Sequence, residues 1–360
     1  MLLYIFVVVF PLLVGYFYQQ GIASRAKQEI NEAKQKRIRF WYLFFAALPM
    51  FFLIAFRHRY MGADTGMYLE NFKVIVSTPW EELKDSSRME YGYLVFVKLI
   101  TYITENPLVF QIIYSSVYLF SVTWFANELE GENFLFLYLF GTLGMYTFMF
   151  TGVRQCLAIC ICLLSYRTVK NRKFIRFALF MLLAFYFHKS SILFAVTYFI
   201  YTRKLNIINV FAYIVGTALV ALNLEAVQAW LNAQLDYDYE IESNTGGYIF
   251  AAVMLVITVF TIFTIVSNKA LNKHSQGLIN IAIIALVFWI IRIFTRVAER
   301  PSYYFLPFSF AALTYAIASM KALKEKGIMN LLVFLLPLIL FIYRLMTNFA
   351  SLIPYTFYSA

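Results

Sequence analysis

Residues 40–56 and 57–72, FWYLFFAALPMFFLIAF followed by RHRYMGADTGMYLENF, join an apolar run directly to a polar stretch that contains two glycines. The first run has no charged residue and is about as long as a helix needs to be to cross a hydrocarbon core of ~30 Å. The second run places two arginines, a histidine and an aspartate within positions 57–64. This change predicts a membrane-spanning helix that leads into a polar loop at the membrane surface.

Apolar residues dominate the rest of the chain as well. They make up 62% of its 360 residues, and charged residues make up 14%, compared with roughly 25% in soluble domains. The sequence therefore predicts an all-α polytopic membrane protein in which residues 1–360 form one transmembrane domain of about 11–13 helices. The candidate spans are 2–18, 40–56, 107–125, 134–151, 154–169, 174–187, 190–203, 206–223, 248–266, 277–297, 301–320 and 328–347.

The positive charges of the connecting loops predict the orientation. Lys and Arg are concentrated in five connections, at residues 25–39, 166–176, 203–204, 268–274 and 321–326. Because cytoplasmic loops carry an excess of these residues, we assign all five to the cytoplasm, which places both termini outside. The net charge of +11 has the same cause, so we expect no nucleic-acid partner.

Two long loops lie outside in this topology. The larger one, residues 57–106, includes an apolar stretch at 92–104 that cannot be a full span without inverting everything before it. We interpret this stretch as an amphipathic or re-entrant segment. The second outer loop comprises residues 224–247.

Unusual polar side chains gather on the predicted outer side. They stand at the ends of several candidate spans and at the start of the larger outer loop. They are Arg57, His58, Arg59, Asp64, Arg154, Gln155, His188, Arg292, Arg296, Arg300 and Arg344.

Three of these residues, Arg292, Arg296 and Arg300, are spaced by four, which would align them along one face of a continuous helix. An arginine at mid-membrane costs about 2.5–3.5 kcal/mol even on the gentlest scale, so such a stripe needs an anion or an aqueous cavity. Guanidinium groups bind phosphate through paired hydrogen bonds and keep their charge when buried. We therefore predict a site for a phosphate group attached to a lipid. The alternative is that these arginines reach the surface or pair with carboxylates such as Glu299.

Three residues are candidate general bases. His188 precedes Lys189 at a membrane boundary, where a neutral imidazole could accept a proton. Asp64 lies between Gly62 and Gly66, which predicts a tight turn. Glu90 is the third candidate. The structural alternatives are that His188 only stabilises the fold and that Asp64 caps a helix that starts at the next residue.

Tyrosines accompany these residues. Tyr68, Tyr91, Tyr303 and Tyr304 could stack on sugar rings or cover a polyprenyl chain. The alternative is the ordinary belt of aromatic residues at a membrane interface.

No cofactor or metal site is expected from the sequence. The three cysteines, at positions 156, 160 and 162, lie in one apolar segment, where free cysteine usually behaves as a small buried hydrophobe. No spacing resembles a zinc, P-loop or dinucleotide-binding motif.

Several short motifs, taken together and in order, resemble the EpsG-like branch of the Wzy-type polysaccharide polymerases. The resemblance runs from about residue 57 to residue 358. Its motifs are Arg59-x2-Gly62-x-Asp64-Thr65-x2-Tyr68-x3-Phe72, Glu90-x-Gly92-Tyr93, Val153-Arg154-Gln155, Phe187-His188-Lys189-Ser190-Ser191, the arginine-rich segment before Tyr303-Tyr304-Phe305, and Ile353-Pro354-Tyr355.

The resemblance implies a metal-independent glycosyltransferase of the bacterial cytoplasmic membrane that makes O-antigen, capsule or exopolysaccharide. Such an enzyme transfers a growing glycan from undecaprenyl diphosphate to a hydroxyl group of an incoming lipid-linked repeat unit at the outer face. Its expected partners are this lipid-linked oligosaccharide and membrane lipid, with a flippase and a chain-length regulator as further candidates.

The resemblance also suggests a role for each candidate residue. Asp64 or His188, with Glu90 as the third candidate, would act as the base on the acceptor hydroxyl. Arg59 would orient the loop or a second diphosphate. The donor diphosphate and the sugars would be bound by Arg154, Arg292, Arg296, Arg300, Gln155, Tyr68 and Tyr303.

Other functions stay open at this point. A flippase for lipid-linked oligosaccharide or an anion carrier would also place arginines in a membrane cavity. A glycan–lipid ligase of the O-antigen ligase type would share the donor and the chemistry. A membrane O-acyltransferase would place its histidine deeper in the bundle, and a structural scaffold would not need arginines at such costly positions.

Overall fold

The computed structural model describes residues 1–25, 31–223, 246–347 and 351–358, and also residues 226, 229, 230 and 233. Within these residues the chain is helical and forms no strand, and an antiparallel bridge joins Arg57 to Phe357. The prediction of an all-α polytopic membrane protein is confirmed.

The helices follow one another along the chain with short connections. In order they are α1 Leu2–Arg25, α2 Glu32–Ala55, α3 Thr65–Ser77, α4 Tyr91–Thr101, α5 Pro107–Glu128, α6 Asn133–Thr142, α7 Met145–Phe148, α8 Val153–Lys170, α9 Phe174–Phe187, α10 Val196–Ile200, α11 Ile207–Leu222, α12 Tyr248–Ser267, α13 Lys273–Arg292, α14 Glu299–Ser302, α15 Leu306–Ser319 and α16 Leu323–Met346. Two 3-10 segments, Lys189–Ala195 and Arg296–Ala298, precede α10 and α14.

Six of the described helices are long and apolar enough to cross a membrane, namely α1, α2, α5, α12, α13 and α16. The other candidate spans coincide with helices that are shorter, broken or more charged. The span expected at 134–151, for example, is interrupted between α6 and α7, where Gly144 adopts a left-handed conformation. The total of 11–13 crossings therefore stays a prediction.

The chain divides into two compact units. The first consists of residues Met1–Tyr166, Leu182–His188 and Ile328–Ala360, and the second consists of Arg167–Met181 and Lys189–Gly327. In the first unit, α2 packs along α5, and α1 packs against α2 and α6. In the second unit, α13 packs against α11, α12 and α15 around Ile265, Ile279, Ile283 and Ala316.

The larger predicted outer loop contains helices α3 and α4. With its 11 residues, α4 extends only ~16 Å, which is too short for a membrane span. The assignment of 92–104 as an amphipathic or re-entrant segment on the outer side stays a prediction. Its Lys98 is buried, and the ammonium group donates hydrogen bonds to the carbonyls of Ile75 at 3.1 Å and Thr78 at 2.6 Å. These carbonyls lie at the carboxyl end of α3, where a cation is favourable. Lys98 thus ties α4 to α3.

Candidate functional site

Arg57 fixes the start of the larger loop from inside the protein. Its side chain is completely buried, with its guanidinium donating to the hydroxyl of Thr65 at 3.0 Å and to the carbonyls of Ile54 at 2.5 Å and Phe150 at 3.4 Å. It also lies over the rings of Tyr114 and Phe150. We expected Arg57 in a polar loop at the membrane surface, but it is buried, and its donors bind the backbone and Thr65.

Gly62 brings the loop onto the segment before α8. Its φ is +84°, a conformation that favours glycine, and a Cβ atom there would lie 1.9 Å from the carbonyl oxygen of Phe150. The predicted turn is therefore present, but Gly66 is not part of it, because α3 already begins at Thr65. Asp64 occupies the N-cap position, as the structural alternative required, but its side chain makes no capping hydrogen bond.

Gly92 likewise allows a close approach, here of α4 to the end of α9. A Cβ atom at Gly92 would lie 2.6 Å from Cβ of Tyr186 and 2.7 Å from its carbonyl oxygen, so a larger residue would push the two helices apart. Glu90 stands at the N-cap position of α4, two residues before this contact, and His188 follows Tyr186 by two residues. The glycine thus sets the distance between Glu90 and His188.

Four of the candidate residues meet in the first unit, and we call them the Glu90 cluster: Tyr68, Glu90, Arg154 and His188. Oε1 of Glu90 lies 2.9 Å from Nδ1 of His188, and Oε2 accepts a hydrogen bond from the guanidinium of Arg154. Nε of Arg154 donates to the hydroxyl of Tyr68 at 3.3 Å. His188 is 4% exposed, so the pair with Glu90 is shielded from water.

The charges around Glu90 determine its protonation state. Burial by itself would raise the pKa of the carboxyl group, but the interactions with His188 and Arg154 outweigh burial and lower this pKa to about 2. Glu90 is therefore ionised at neutral pH, and its oxygen accepts the hydrogen on Nδ1 of His188. This tautomer puts the basic lone pair of the imidazole on Nε2.

The other candidates of the first unit lie beside the cluster. Gln155 is buried in α8 next to Arg154. Arg59 makes an ion pair with Glu70 at 2.9 Å, and both side chains are about half exposed. Arg59 also lies over the ring of Tyr60.

The second unit holds a separate group of candidates around Arg292. Nε of Arg292 donates to Oε2 of Glu299 at 2.9 Å, and the hydroxyl of Tyr303 donates to Oε1 of the same carboxylate at 2.8 Å. Arg292 is buried, whereas Arg296 and Arg300 are exposed. This pairing with Glu299 is the alternative that the sequence left open.

The three arginines do not form the expected stripe. Helix α13 ends at Arg292, Thr295 is extended with φ −146° and ψ 133°, and Arg296 begins a 3-10 segment. In an unbroken helix, Arg292 and Glu299 would be two turns and about 10 Å apart along the axis. The chain leaves the helix, and this change of direction accompanies the contact of 2.9 Å between the two side chains. The prediction of one continuous helix through Arg300 was wrong.

Tyr68 and Tyr303 contact these polar groups through their hydroxyls. Tyr68 and Tyr303 are each 3% exposed, and Tyr304 is fully buried, so none of these three presents an open ring face. Tyr91 is exposed at the start of α4. The second outer loop, residues 224–247, lies for the most part outside the described residues.

No group of three or more His, Cys, Asp or Glu side chains in the described part of the chain is arranged to hold a metal ion. The spacing of Glu90 and His188 does not predict their contact, because they are 98 positions apart. Gly92, in the middle of the motif Glu90-x-Gly92-Tyr93, was the one signal that could have pointed to it.

A comparison with protein families identifies the chain. A family model described as the EpsG family matches residues 40–357, which is most of the sequence and includes both groups of candidate residues. The chain belongs to the EpsG family. Membership of the EpsG family indicates a polysaccharide-polymerase type of function in a multi-pass membrane protein. No curated protein and no solved structure shows significant similarity to this chain.

Proposed function

We propose that this member of the EpsG family polymerises an oligosaccharide carried on undecaprenyl diphosphate. The growing glycan passes from its lipid diphosphate to a hydroxyl group of an incoming lipid-linked repeat unit, at the outer face of the cytoplasmic membrane. The observation that carries the proposal is the pair of Glu90 and His188, bonded at 2.9 Å and supported by Arg154.

The proposed reaction needs a base for the acceptor. The bond between the anomeric carbon of the donor sugar and the diphosphate oxygen breaks, and the electron pair leaves with the diphosphate. The acceptor oxygen bonds to that carbon, and its proton passes to Nε2 of His188. A positioned base of this kind usually contributes about 100- to 10,000-fold to the rate.

Glu90 has a positioning role in this proposal. Its ionised carboxylate holds the hydrogen of Nδ1, which keeps Nε2 basic and stabilises the imidazolium that forms. Because Arg154 and the hydrogen bond from Nδ1 of His188 keep the carboxylate ionised, Glu90 itself is a poor proton acceptor. Of the three candidate bases, the arrangement thus favours His188 over Glu90, and Asp64 remains the alternative to test.

The arginines have the complementary role of stabilising the leaving diphosphate. We assign Arg292, Arg296 and Arg300 in the second unit to this charge, and Arg154 both to Glu90 and to the donor. Preorganised cations act best where charge develops during the reaction, and loss of one donor typically lowers the rate about 100- to 1,000-fold. Arg59, Gln155, Tyr68 and Tyr303 would position the loop and the sugars.

The proposal is tested with purified protein in liposomes that contain the undecaprenyl-diphosphate-linked repeat unit of its own host. We expect the wild type to produce a ladder of longer glycans. His188→Ala should lose at least about 100-fold of this activity. Glu90→Gln should lose less, because the imidazole remains, and Asp64→Asn serves as the matched control, with activity near that of the wild type.

Full activity of His188→Ala would remove His188 as the base. Loss of activity in Asp64→Asn alone would assign that role to Asp64. Movement of the substrate across the bilayer without growth of the glycan would replace the polymerase with a flippase.

Metal independence is a separate part of the proposal. The sequence contains one Asp-x-Asp element, Asp236-Tyr237-Asp238, which lies outside the described residues. We expect the glycan ladder to be unchanged in EDTA and in the Asp236→Asn/Asp238→Asn double variant. Loss of activity in both, with recovery after a divalent cation is added to the EDTA-treated wild type, would show that the reaction needs a metal.

A further inference from the structure

An open cleft in the first unit lies apart from the contacts of the Glu90 cluster. Its volume is about 510 Å³, and it is formed by the residues that follow α2 and by the segment 351–357. The side chains that define it are those of His58, Tyr60, Ser351, Pro354, Thr356 and Phe357. We propose that this cleft binds a sugar ring of the lipid-linked glycan.

The backbone around the cleft is held in place from several sides. The amide of His58 donates to the carbonyl of Thr356 at 2.9 Å, and the amide of Tyr358 donates to the carbonyl of Phe56 at 2.8 Å. The hydroxyl of Tyr355 donates to the carbonyl of Leu53 at 3.2 Å. The two walls of the cleft are therefore joined before any ligand arrives, and a preformed site has less ordering cost on binding.

The aromatic side chains of the cleft are open to a ligand. Tyr60 is 75% exposed and Phe357 is 68% exposed, so neither ring is used to fill the core. The ring of His58 packs at 4.9 Å from that of Tyr60, and the ring of Tyr355 packs edge-on at 4.9 Å from that of Phe357. These neighbours orient the exposed rings, which gives the cleft firm apolar faces.

The mixture of groups favours a sugar over a lipid chain. A pyranose has apolar C–H faces and a rim of hydroxyl groups, so it needs both flat apolar surfaces and hydrogen-bonding partners. Two exposed aromatic residues line the cleft together with Ser351, Thr356 and His58, whose side chains carry polar groups. An isoprenoid chain has no group that could use these polar partners.

The position of the cleft suggests what the sugar does there. Tyr60 precedes Gly62, whose turn docks on Phe150, and Arg154 of the Glu90 cluster follows Phe150 by four residues. A sugar in the cleft would therefore be bound at one side of the turn while a different part of the same glycan reacts at the cluster. The cleft would then recognise the repeat unit, an inference that rests on the proposed polymerase function.

The test uses the oligosaccharide repeat unit released from its lipid carrier by mild acid, and its binding to the purified protein measured by saturation-transfer NMR. Tyr60→Ala and Phe357→Ala are compared with Tyr102→Ala, an aromatic residue of the same unit that is 70% exposed and does not line the cleft. We expect the two cleft variants to lose most of the glycan signal and Tyr102→Ala to keep it.

The KM and kcat of the cleft variants distinguish an effect on substrate binding from an effect on the reaction itself. In the liposome assay, the KM for the lipid-linked acceptor should rise about tenfold in each cleft variant, with kcat within about twofold of the wild type. The Arg57–Phe357 bridge is a backbone contact, so the Phe357 side chain is not needed for it. If Phe357→Ala nevertheless fails to fold, Tyr60→Ala gives the answer alone.

The remaining outcomes would overturn either the inference about the cleft or the proposed function. Wild-type glycan binding and KM in the cleft variants would overturn the inference. Loss of binding to sugar-free undecaprenyl phosphate, with glycan binding intact, would overturn it in favour of a lipid site. Glycan binding that depends on Tyr60 in a protein that polymerises nothing would keep the cleft and reject the proposed function.

Discussion

Replacing Gly92 with alanine should separate Glu90 from His188 without removing either side chain. The new Cβ would lie 2.6 Å from Cβ of Tyr186, whereas nonbonded carbon atoms are at their optimum at about 3.5–4.0 Å. The start of α4 must therefore move by about 1 Å. A shift of that size along the Glu90–His188 direction would lengthen their bond from 2.9 Å to about 4 Å, which is too long for a hydrogen bond.

Both stability and activity should respond to this shift. Overpacking of this kind typically costs about 1–3 kcal/mol of unfolding free energy. A misplacement of about 1 Å can lower a catalysed rate about 100-fold. We expect Gly92→Ala to fold with a lowered melting temperature in detergent and to make about 100-fold less glycan polymer in liposomes.

The control is Gly21→Ala in α1, where, among the described residues and outside its own helical turn, no atom lies within 4 Å of the added methyl group. Alanine favours a helix by up to about 1 kcal/mol over glycine, so this variant should be as stable and as active as the wild type. Trimming Tyr186 to alanine in the Gly92→Ala background should not restore activity, because the backbone of residue 186 is also too close. Wild-type polymer yield from Gly92→Ala would refute the role of this contact.

Three further predictions concern charge and topology. Arg292→Ala should lower the rate about 100- to 1,000-fold, and adding Glu299→Gln should recover the melting temperature but not the rate, whereas unchanged polymer yield would exclude Arg292 from the reaction. In a chain whose native cysteines are buried, a membrane-impermeant thiol reagent applied to intact cells should label Lys73→Cys but not Lys173→Cys, and the opposite pattern would invert the topology. Because the folded-state pKa of Glu90 is lowered to about 2 from 4.5, its stabilising contribution is complete above about pH 4.5 and is lost as the pH falls towards 2. Between about pH 4.5 and 2, the difference in unfolding free energy between wild type and Glu90→Gln should therefore shrink, and a difference that grew over this range would contradict this sign.

The helices themselves could be predicted from the sequence, because apolar length and period are local properties of the chain. The apolar run at 40–56 extends to the C-cap of α2, one residue past its end at Ala55, and the run at 248–266 is α12 almost residue for residue. The start of α3 after Asp64 was also visible locally, from the turn residues that precede it. What helical periodicity could not show is where a long helix stops, and the break after Arg292 accompanies a contact with Glu299 that spacing alone does not reveal.

The residues of the Glu90 cluster could be named from the sequence, but their partners could not. Arg154 and His188 stood out as polar residues at the ends of apolar segments. Their common contact with Glu90 depends on how closely α4 approaches α9, a distance set by the missing side chain of Gly92. Arg57 was misjudged for the opposite reason, because its charge suggested a surface role while the fold buries it on backbone carbonyls.

The bridge between Arg57 and Phe357 also has a consequence for the order of events during synthesis. The residues around position 57 leave the ribosome about 300 residues before Phe357 is made. The loop therefore lacks its backbone partner during most of translation. Helices α3 to α16 must all be made in the interval. The cleft between this loop and the segment 351–357 therefore forms last, and a nascent chain or a fragment that ends before residue 352 should already hold its membrane helices while its loop still lacks this partner.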